Sequence, residues 1–164
     1  MTRLLTLVAL SLTMAFASAF GEDKSGEEES ERIHVTAEIV EQTFTGDLAN
    51  PKVGDQLILR ADIFDKNDKK VGIGAGACTV VSVPEEPEAE ATEGHEDILL
   101  QCLNSVAFDQ GQIIFGGLAP FPEVGAVARF GILGGTDKFR EAEGEATLVV
   151  ISSTLQEATF DLDD

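Results

Sequence analysis

The chain contains no Trp and no Tyr, and ten Phe supply all of its aromatic side chains. A ligand cavity in this protein would therefore have no phenol or indole group to hydrogen-bond a polar ligand. We expect such a cavity to be lined mainly by Phe, Val, Ile, Leu and backbone. Two Cys and two His, distant in sequence, are too few ligands for a metal site, so none is predicted.

Basic residues are scarce as well. Eleven Lys and Arg stand against 30 Asp and Glu, which gives a net charge of −19. This balance argues against binding to nucleic acid or to an anionic membrane surface. The acids cluster between residues 22 and 31 and between residues 85 and 97. These runs predict solvated, flexible segments; calcium binding is the alternative, but no EF-hand spacing is present.

Long apolar runs are missing after the N-terminus. Residues 1–19 combine a basic Arg3, an apolar stretch and Ala17-Ser18-Ala19, the pattern of a secretory signal peptide. We predict that the protein is secreted, with an acidic, disordered leader at 20–32 and no stable insertion in a membrane. The alternatives are a secretory-pathway lumen or a secondary plastid, because Ala-Ser-Ala followed by Phe20 also resembles the junction of bipartite algal presequences.

The most informative stretch runs from Gly54 to Ser82. Leu57, Leu59, Ala61 and Ile63 alternate with polar residues, which predicts a strand at about 55–66. The turn Asp65–Asp68 suits local side-chain hydrogen bonds and positive φ. In the next strand, at about 70–83, Gly72, Gly74 and Gly76 all point to one face. This spacing indicates a bend or a close approach to the backbone.

The remaining chain divides in the same way. Further strands are predicted at about 33–44, 97–108, 111–119, 125–134, 145–152 and 154–162, and no segment shows a helical period. Pro84 to Glu96 reads as an acidic loop. The fold prediction is an all-β domain over 33–164, an eight-stranded antiparallel up-and-down β-barrel. A β-sandwich is the alternative that periodicity alone leaves open.

Cys78 and Cys102 fall on the third and fourth predicted strands. If they face each other, Val83 pairs with Asp97, which places the hairpin loop where the acidic composition also places it. A disulfide between them is predicted for an oxidising compartment. It would close a loop of about 25 residues, which corresponds to roughly 3.5 kcal/mol in the chain-entropy model.

Two motifs carry a family resemblance. GDxxxxxxxxFDxxxKKVGxxAGxC, within residues 54–78, resembles the core of the allene oxide cyclase barrel family, to which dirigent proteins are related. GGTDKFREAEGEATL, at 134–148, resembles the Gly-Gly-Thr hairpin of that superfamily, with Asp137 and Glu141 where glycine is usual. The match covers about 33–162 and supports the barrel over the sandwich.

The resemblance also implies site residues. Glu38 falls on the Glu that polarises the substrate in allene oxide cyclases, and Cys78 falls on a Cys that shapes their cavity, which is the alternative to a disulfide. Val40 replaces an Asn that helps to hold a water, so this half of the mechanism is missing here. Pro51 matches a proline that helps to position the water.

The side on which Glu38 lies is open. By alternation alone Ile33, Val35, Ala37 and Ile39 form the inward set, and Glu38 then faces solvent. The resemblance instead places Glu38 in the lumen, where desolvation would favour its neutral form and allow acid, base or electrostatic chemistry. We therefore expect Glu38 to lie in the lumen.

Three further residues are candidates for the ligand site. Arg60 and Asp62 share a strand face and could pair within the barrel, although most such charges face solvent. Asn104 shares the face of Cys102 and could donate a hydrogen bond in the cavity.

These observations support a barrel that binds one hydrophobic small molecule and steers its cyclisation or stereoselective coupling, by orientation and without a cofactor. The alternatives are a non-catalytic carrier of hydrophobic ligands and an extracellular interaction protein with a filled lumen. Whether the protein is an enzyme, an isomerase of the cyclase type, stays open. A dimer or trimer is expected, as in trimeric relatives.

Overall fold

In a computed structural model of the chain, residues 31–84 and 97–163 are described. They form eight strands and a single 3-10 turn at Asp137–Phe139. The strands are β1 Glu31–Phe44, β2 Gln56–Phe64, β3 Lys70–Ser82, β4 Leu99–Phe108, β5 Gly111–Pro120, β6 Val127–Gly135, β7 Glu143–Val150 and β8 Leu155–Asp163.

The strands form one closed antiparallel barrel in which each strand pairs with its sequence neighbours and β8 pairs with β1. The predicted fold is thereby confirmed, with strand ends shifted by at most two residues. The leader at 20–32 was predicted to extend too far, because Glu31 and Arg32 already pair with Leu162 and Asp161 in the sheet. The signal peptide and most of the acidic loop at 84–96 lie outside the described residues.

Side chains alternate between a buried lumen and the outer surface. On β1, Val35 and Ala37 are buried, and they continue around the barrel through Leu57, Ala61 and Ile63 of β2. Since successive residues of a strand point to opposite faces, the residues between them face outward. The apolar residues of the two-residue period therefore form the core.

A β-bulge interrupts this alternation on β1. Ile39 pairs with Ala61 and Glu41 pairs with Arg60, so Val40 is an extra residue without a partner on β2. Because a bulge moves every later residue to the other face, Phe44 lies opposite Leu57 and packs with Phe121. Strict alternation along β1 would put Phe44 on the outer face with Glu38, and the bulge is the reason that it lies on the lumen side instead.

The hairpin turns have the predicted chemistry. Asp65 Oδ1 accepts hydrogen bonds from the backbone N–H groups of Asn67 at 2.8 Å and Lys69 at 3.1 Å, and Asp68 has φ of 58°. In the Gly-Gly-Thr hairpin, Asp137 has φ of 52°, which explains why glycine is usual at this position.

The two cysteines form the predicted disulfide, Cys78–Cys102. From Gly72 to Val80, each residue of β3 pairs with the residue of β4 that the direct apposition of Cys78 and Cys102 predicts. The register then shifts at a bulge, and Ser82 pairs with Leu99, so the predicted pairing of Val83 with Asp97 is wrong.

No helix in the described part of the chain is long and apolar enough to span a membrane.

Candidate functional site: an apolar lumen

The lumen differs between its two ends. We call the end that carries the connections 45–55, 121–126 and 151–154 the open end, and the end that carries the turns 65–69, 109–110 and 136–142 the closed end. Phe160, Ile113 and Ile63 are almost completely buried toward the closed end, and Phe139 packs against Phe108 there. Large side chains therefore fill the barrel at the closed end.

A cavity of about 90 Å³ lies in the half of the lumen toward the open end. Many of its lining side chains are small, among them Ala37, Ala61, Ala119, Ala128 and Ala158. Phe115 and Phe130, whose rings are 5.8 Å apart, border it on the side of the closed end. The cavity exists because alanines occupy inward positions that leucine or phenylalanine would fill.

The described lining of this cavity carries no charged side chain. Its polar residues are Asn104 on β4, Ser105 beside it and Gln156 on β8. Ser105 pairs with Ala75 and Ile114 at outward positions of the wall, so Asn104 and Gln156 are the two whose strand positions face the lumen. Such a space favours an apolar and uncharged ligand over a charged one.

Gly76 makes room for Asn104. The two residues are paired across β3 and β4. A Cβ atom on Gly76 would come within 2.2 Å of Asn104 Oδ1. The prediction that one of the alternating glycines marks a close approach is thus confirmed, and the approaching group is the Asn104 side chain.

The disulfide is part of the cavity wall. Both Cys78 and Cys102 are buried, and both line the cavity. The expectation that Cys78 shapes the cavity and the expectation that it is oxidised are therefore compatible, since the disulfide itself faces the lumen. The alternative of a free Cys78 is wrong, because no described cysteine is free.

Glu38 lies outside the lumen, and the expectation of a lumen carboxylate is wrong. Its side chain is exposed between the inward-facing Ala37 and Ile39, and it does not line the cavity. Its cross-strand partners Asp62 and Leu155 also occupy outward positions. The strict alternation of β1 before the bulge decides this placement.

The other residues implied by the resemblance are also away from the cavity. Val40 is 42% exposed at the bulge. Pro51 is buried within the connection between β1 and β2, but it does not line the cavity. The structure therefore does not bring Glu38, Val40, Pro51 and Cys78 together at one lumen site.

Arg60 and Asp62 do pair, with Arg60 Nη1 and Asp62 Oδ1 3.6 Å apart, but on the outer wall. Arg60 also contacts Glu41 at 3.3 Å, and Lys70 contacts Asp62 at 2.7 Å. The hydrogen bond and charge of Glu41 raise the pKa of the Arg60 guanidinium above its ordinary value. The expectation that this pair lies within the barrel is wrong, because its positions alternate with Leu59, Ala61 and Ile63.

Gln156 is the lining residue that sequence reasoning missed. It begins the inward series Gln156, Ala158, Phe160 and Leu162 of β8. A polar residue in register with an otherwise apolar strand face was the available signal.

No group of three or more His, Cys, Asp or Glu side chains within 31–84 and 97–163 could hold a metal ion.

No protein-family model matches the chain, and no curated protein has a significant sequence match to it. Solved structures do match its fold. A pyocyanin demethylase aligns with TM-score 0.65 and 21% identity over 80% of this chain and 99% of its own. The exo-specific intermolecular Diels-Alderase AbnU aligns with TM-score 0.66 and 18% identity over 82% of this chain and 98% of its own. A nonspecific heme-binding cyclase that catalyses a [4 + 2] cycloaddition in neoabyssomicin biosynthesis aligns with TM-score 0.64 and 17% identity, over 85% and 67%.

These neighbours show that the chain shares its barrel fold with a demethylase, a Diels-Alderase and a cyclase. At such identities the likeness establishes the fold alone. None of these three neighbours is an allene oxide cyclase or a dirigent protein, so that resemblance rests on the two sequence motifs.

Proposed function

We propose that this protein binds a hydrophobic small molecule in its lumen and steers the cyclisation or stereoselective coupling of that molecule. The observation that carries the proposal is the apolar cavity, whose described lining is uncharged and includes several alanines, beside a filled closed end. Fold neighbours that are cyclases support it as an analogy.

The size of the cavity limits the ligand. A volume of about 90 Å³ is smaller than the apolar cavity of about 150 Å³ that holds benzene in an engineered protein core. It is also below the range of roughly 300–1,000 Å³ that is usual for sites of drug-sized ligands. The lumen therefore suits a slender apolar segment, with the rest of a larger ligand at the open end.

The chemistry that we propose works by orientation. With Glu38 outside, the described lumen offers no acid or base to move a proton. A reactive substrate that cyclises spontaneously needs only to be held in one conformer, shielded from water, for one stereoisomer to dominate. The proposed role is therefore that of a conformational template, and no residue is assigned a proton-transfer role.

A carrier without catalysis is the second candidate. The same absence of an acid or base from the described lining favours it. The two candidates differ in one result, which is the stereochemical composition of a product formed in the presence of the protein.

The deciding experiment is chiral analysis of a product formed from an unstable substrate. An unsaturated fatty-acid allene oxide is generated in situ with the protein, and the enantiomers of the cyclopentenone are separated. Ala128→Phe fills the lumen, whereas Val127→Phe places the same ring on the outer wall one residue away. We expect enantiomeric enrichment with the wild type and Val127→Phe, and its loss with Ala128→Phe.

A racemic product at the spontaneous yield with the wild type would show that the protein does not steer this cyclisation. If saturable binding of a slender hydrocarbon then persisted, and Ala128→Phe abolished it, the carrier would be the better description.

We also propose that copies of the chain associate through the outer face of β3, β4 and β5. The outward positions from Ile73 to Pro120 on these strands carry no charged side chain, although the whole chain is highly charged. Leu103, 57% exposed, lies between Ala77 and Gly116, so a protruding side chain has small neighbours that could receive its counterpart. Light scattering should report a dimer or trimer that Leu103→Lys dissociates and Thr159→Lys, on the charged side of the barrel, does not.

Secretion remains part of the proposal. A buried disulfide in the cavity wall is supporting evidence, because disulfides persist in oxidising compartments. A tagged full-length chain should appear in the medium, without residues 1–19, when expressed in a secreting host.

A further inference from the structure

We propose that Asn104 and Gln156 are the polar contacts of the lumen site, and that they select a neutral ligand with a carbonyl or hydroxyl oxygen at two positions on an apolar skeleton. This inference rests on the proposed lumen binding and specifies its ligand class.

Asn104 and Gln156 are the two amide side chains at the lumen. Both side chains end in an amide, which can donate two hydrogen bonds and accept others. Neither amide has a hydrogen-bond partner among the described residues, and both residues border the cavity. Both residues are half-buried, so water can reach the amides in the free protein. A ligand that displaces this water must replace its hydrogen bonds, which favours an oxygen-bearing ligand over a hydrocarbon.

No charged side chain in the described lining could neutralise a carboxylate or an ammonium group. An ion brought to the depth of Asn104 would lose its hydration without gaining an opposite charge. The ligand groups that suit the two amides are therefore neutral carbonyls, hydroxyls or ethers.

Asn104 lies on β4 and Gln156 lies on β8, four strands apart around an eight-stranded barrel. They therefore approach the cavity from opposite walls. Two contacts on opposite walls fix the rotation of a ligand about the barrel axis, which one contact would leave free. Fixed rotation is what a template needs to favour one stereoisomer.

Gly76 on β3 is the cross-strand partner of Asn104. Its missing Cβ leaves the space that Asn104 Oδ1 occupies. An alanine at position 76 would push this flexible amide away from its place without removing it. Gly76→Ala thus tests the position of the Asn104 amide separately from its chemistry.

The experiment compares three probes with the same seven-carbon chain: n-heptane, 2-heptanone and 2,6-heptanedione. Their binding to the full mature chain is measured by partition between protein solution and buffer. The variants are Asn104→Leu, Gln156→Leu, the double variant and Gly76→Ala. The control is Gln101→Leu, which removes an amide from the outward face of β4. Far-UV circular dichroism melts confirm that each variant is folded.

We expect each lumen amide variant to weaken diketone binding about five- to tenfold, the value of one hydrogen bond, and the double variant to weaken it further. The affinity for n-heptane should stay unchanged or rise, and Gln101→Leu should have no effect on any probe. If folding of Asn104→Leu fails, Gly76→Ala still tests the same contact, with loss of diketone binding expected.

Two results would overturn the inference, and they differ in meaning. Equal fold-changes for all three probes in the amide variants would show that the amides only shape the lumen, and the proposed lumen binding would stand. Failure of all three probes to bind the wild type would overturn the lumen binding and this inference together.

Discussion

The two ends of the lumen are built from the same eight strands and the same alternation, yet one is filled and the other contains a cavity. Toward the closed end the inward side chains are large, with Phe160 and Ile113 completely buried. Toward the open end the inward set includes the small side chains of Ala119, Ala128 and Ala158 beside the larger Leu57 and Leu100, and a cavity remains there. The difference shows that the strand framework makes the barrel, whereas the sizes of a few inward side chains decide whether it can hold a ligand.

The largest expected effect is at the closed end. Phe160→Ala removes a fully buried ring that contacts Phe115, with centroids 5.3 Å apart. We expect a loss of about 3–5 kcal/mol in the free energy of unfolding, because the cavity it leaves is enclosed by rigid strands. Urea denaturation followed by circular dichroism measures it, and Glu157→Ala, on the outer face of β8, is the control. A loss below about 1 kcal/mol would mean that the closed end is not the packed half.

The disulfide holds the cavity wall where packing is sparse. The double variant Cys78→Ala and Cys102→Ala removes a link between residues 24 apart in sequence. We expect it to lower the free energy of unfolding by about 3 kcal/mol, mainly because the unfolded chain gains freedom. Urea denaturation followed by circular dichroism, with and without a reductant, measures this loss. The free energy of unfolding of the wild type in reductant should approach that of the double variant. If neither the reductant nor the double substitution lowered it, the disulfide would not have this stabilising role.

Enlarging an alanine to valine should change stability differently at the two ends of the lumen. Ala146, fully buried toward the closed end, and Ala128, in the cavity wall, lie on paired strands. Ala146→Val should cost about 1–3 kcal/mol by overpacking. Ala128→Val should be neutral or stabilise by about 0.5–1 kcal/mol, because it fills space. Urea midpoints of the two variants test this, and equal destabilisation by both would mean that the open-end cavity does not exist in solution.

The smallest effect is a pH dependence at the closed-end turn. Hydrogen bonds from the backbone of Asn67 and Lys69 lower the pKa of Asp65 from its ordinary value of 3.8. A carboxyl whose pKa is lowered by folding stabilises the protein above its unfolded pKa, and this contribution is lost as the pH falls through the folded pKa. The stability difference between wild type and Asp65→Asn should thus be present at neutral pH and shrink below about pH 3.8.

Thermal melts from pH 7 to pH 2.5 give the profile. Asp109→Asn is the matched control, because Asp109 lies in the neighbouring closed-end turn and makes no side-chain hydrogen bond within the described residues. A difference for Asp65→Asn that does not change with pH would argue against the turn hydrogen bonds as its source.

Much of the architecture was readable from local pattern. Alternating Leu57, Leu59, Ala61 and Ile63 marked β2, and the composition of Asp65–Asp68 marked its turn. The spacing of Cys78 and Cys102 was consistent with their pairing, which the structure contains. Each of these features depends on residues close in sequence or on one hairpin register, so a single strand pattern was enough to predict it.

The site was less predictable. Resemblance moved Glu38 into the lumen, although the alternation of β1 placed it outside, and the alternation was correct. The bulge at Val40 had no clear sequence signal, and it reversed the face of Phe44. Gln156 became a candidate only when β8 closed the barrel opposite β4.

By itself, the sequence determined eight amphipathic strands and their turns, because these follow from a two-residue period and from turn chemistry. The tertiary structure decided which inward positions meet around the lumen, and therefore that alanines leave a cavity at one end while Phe160 and Ile113 fill the other. The physical reason is that cavity volume depends on side chains from all eight strands at once. The pattern of any single strand carries no information about the size of its neighbours across the barrel.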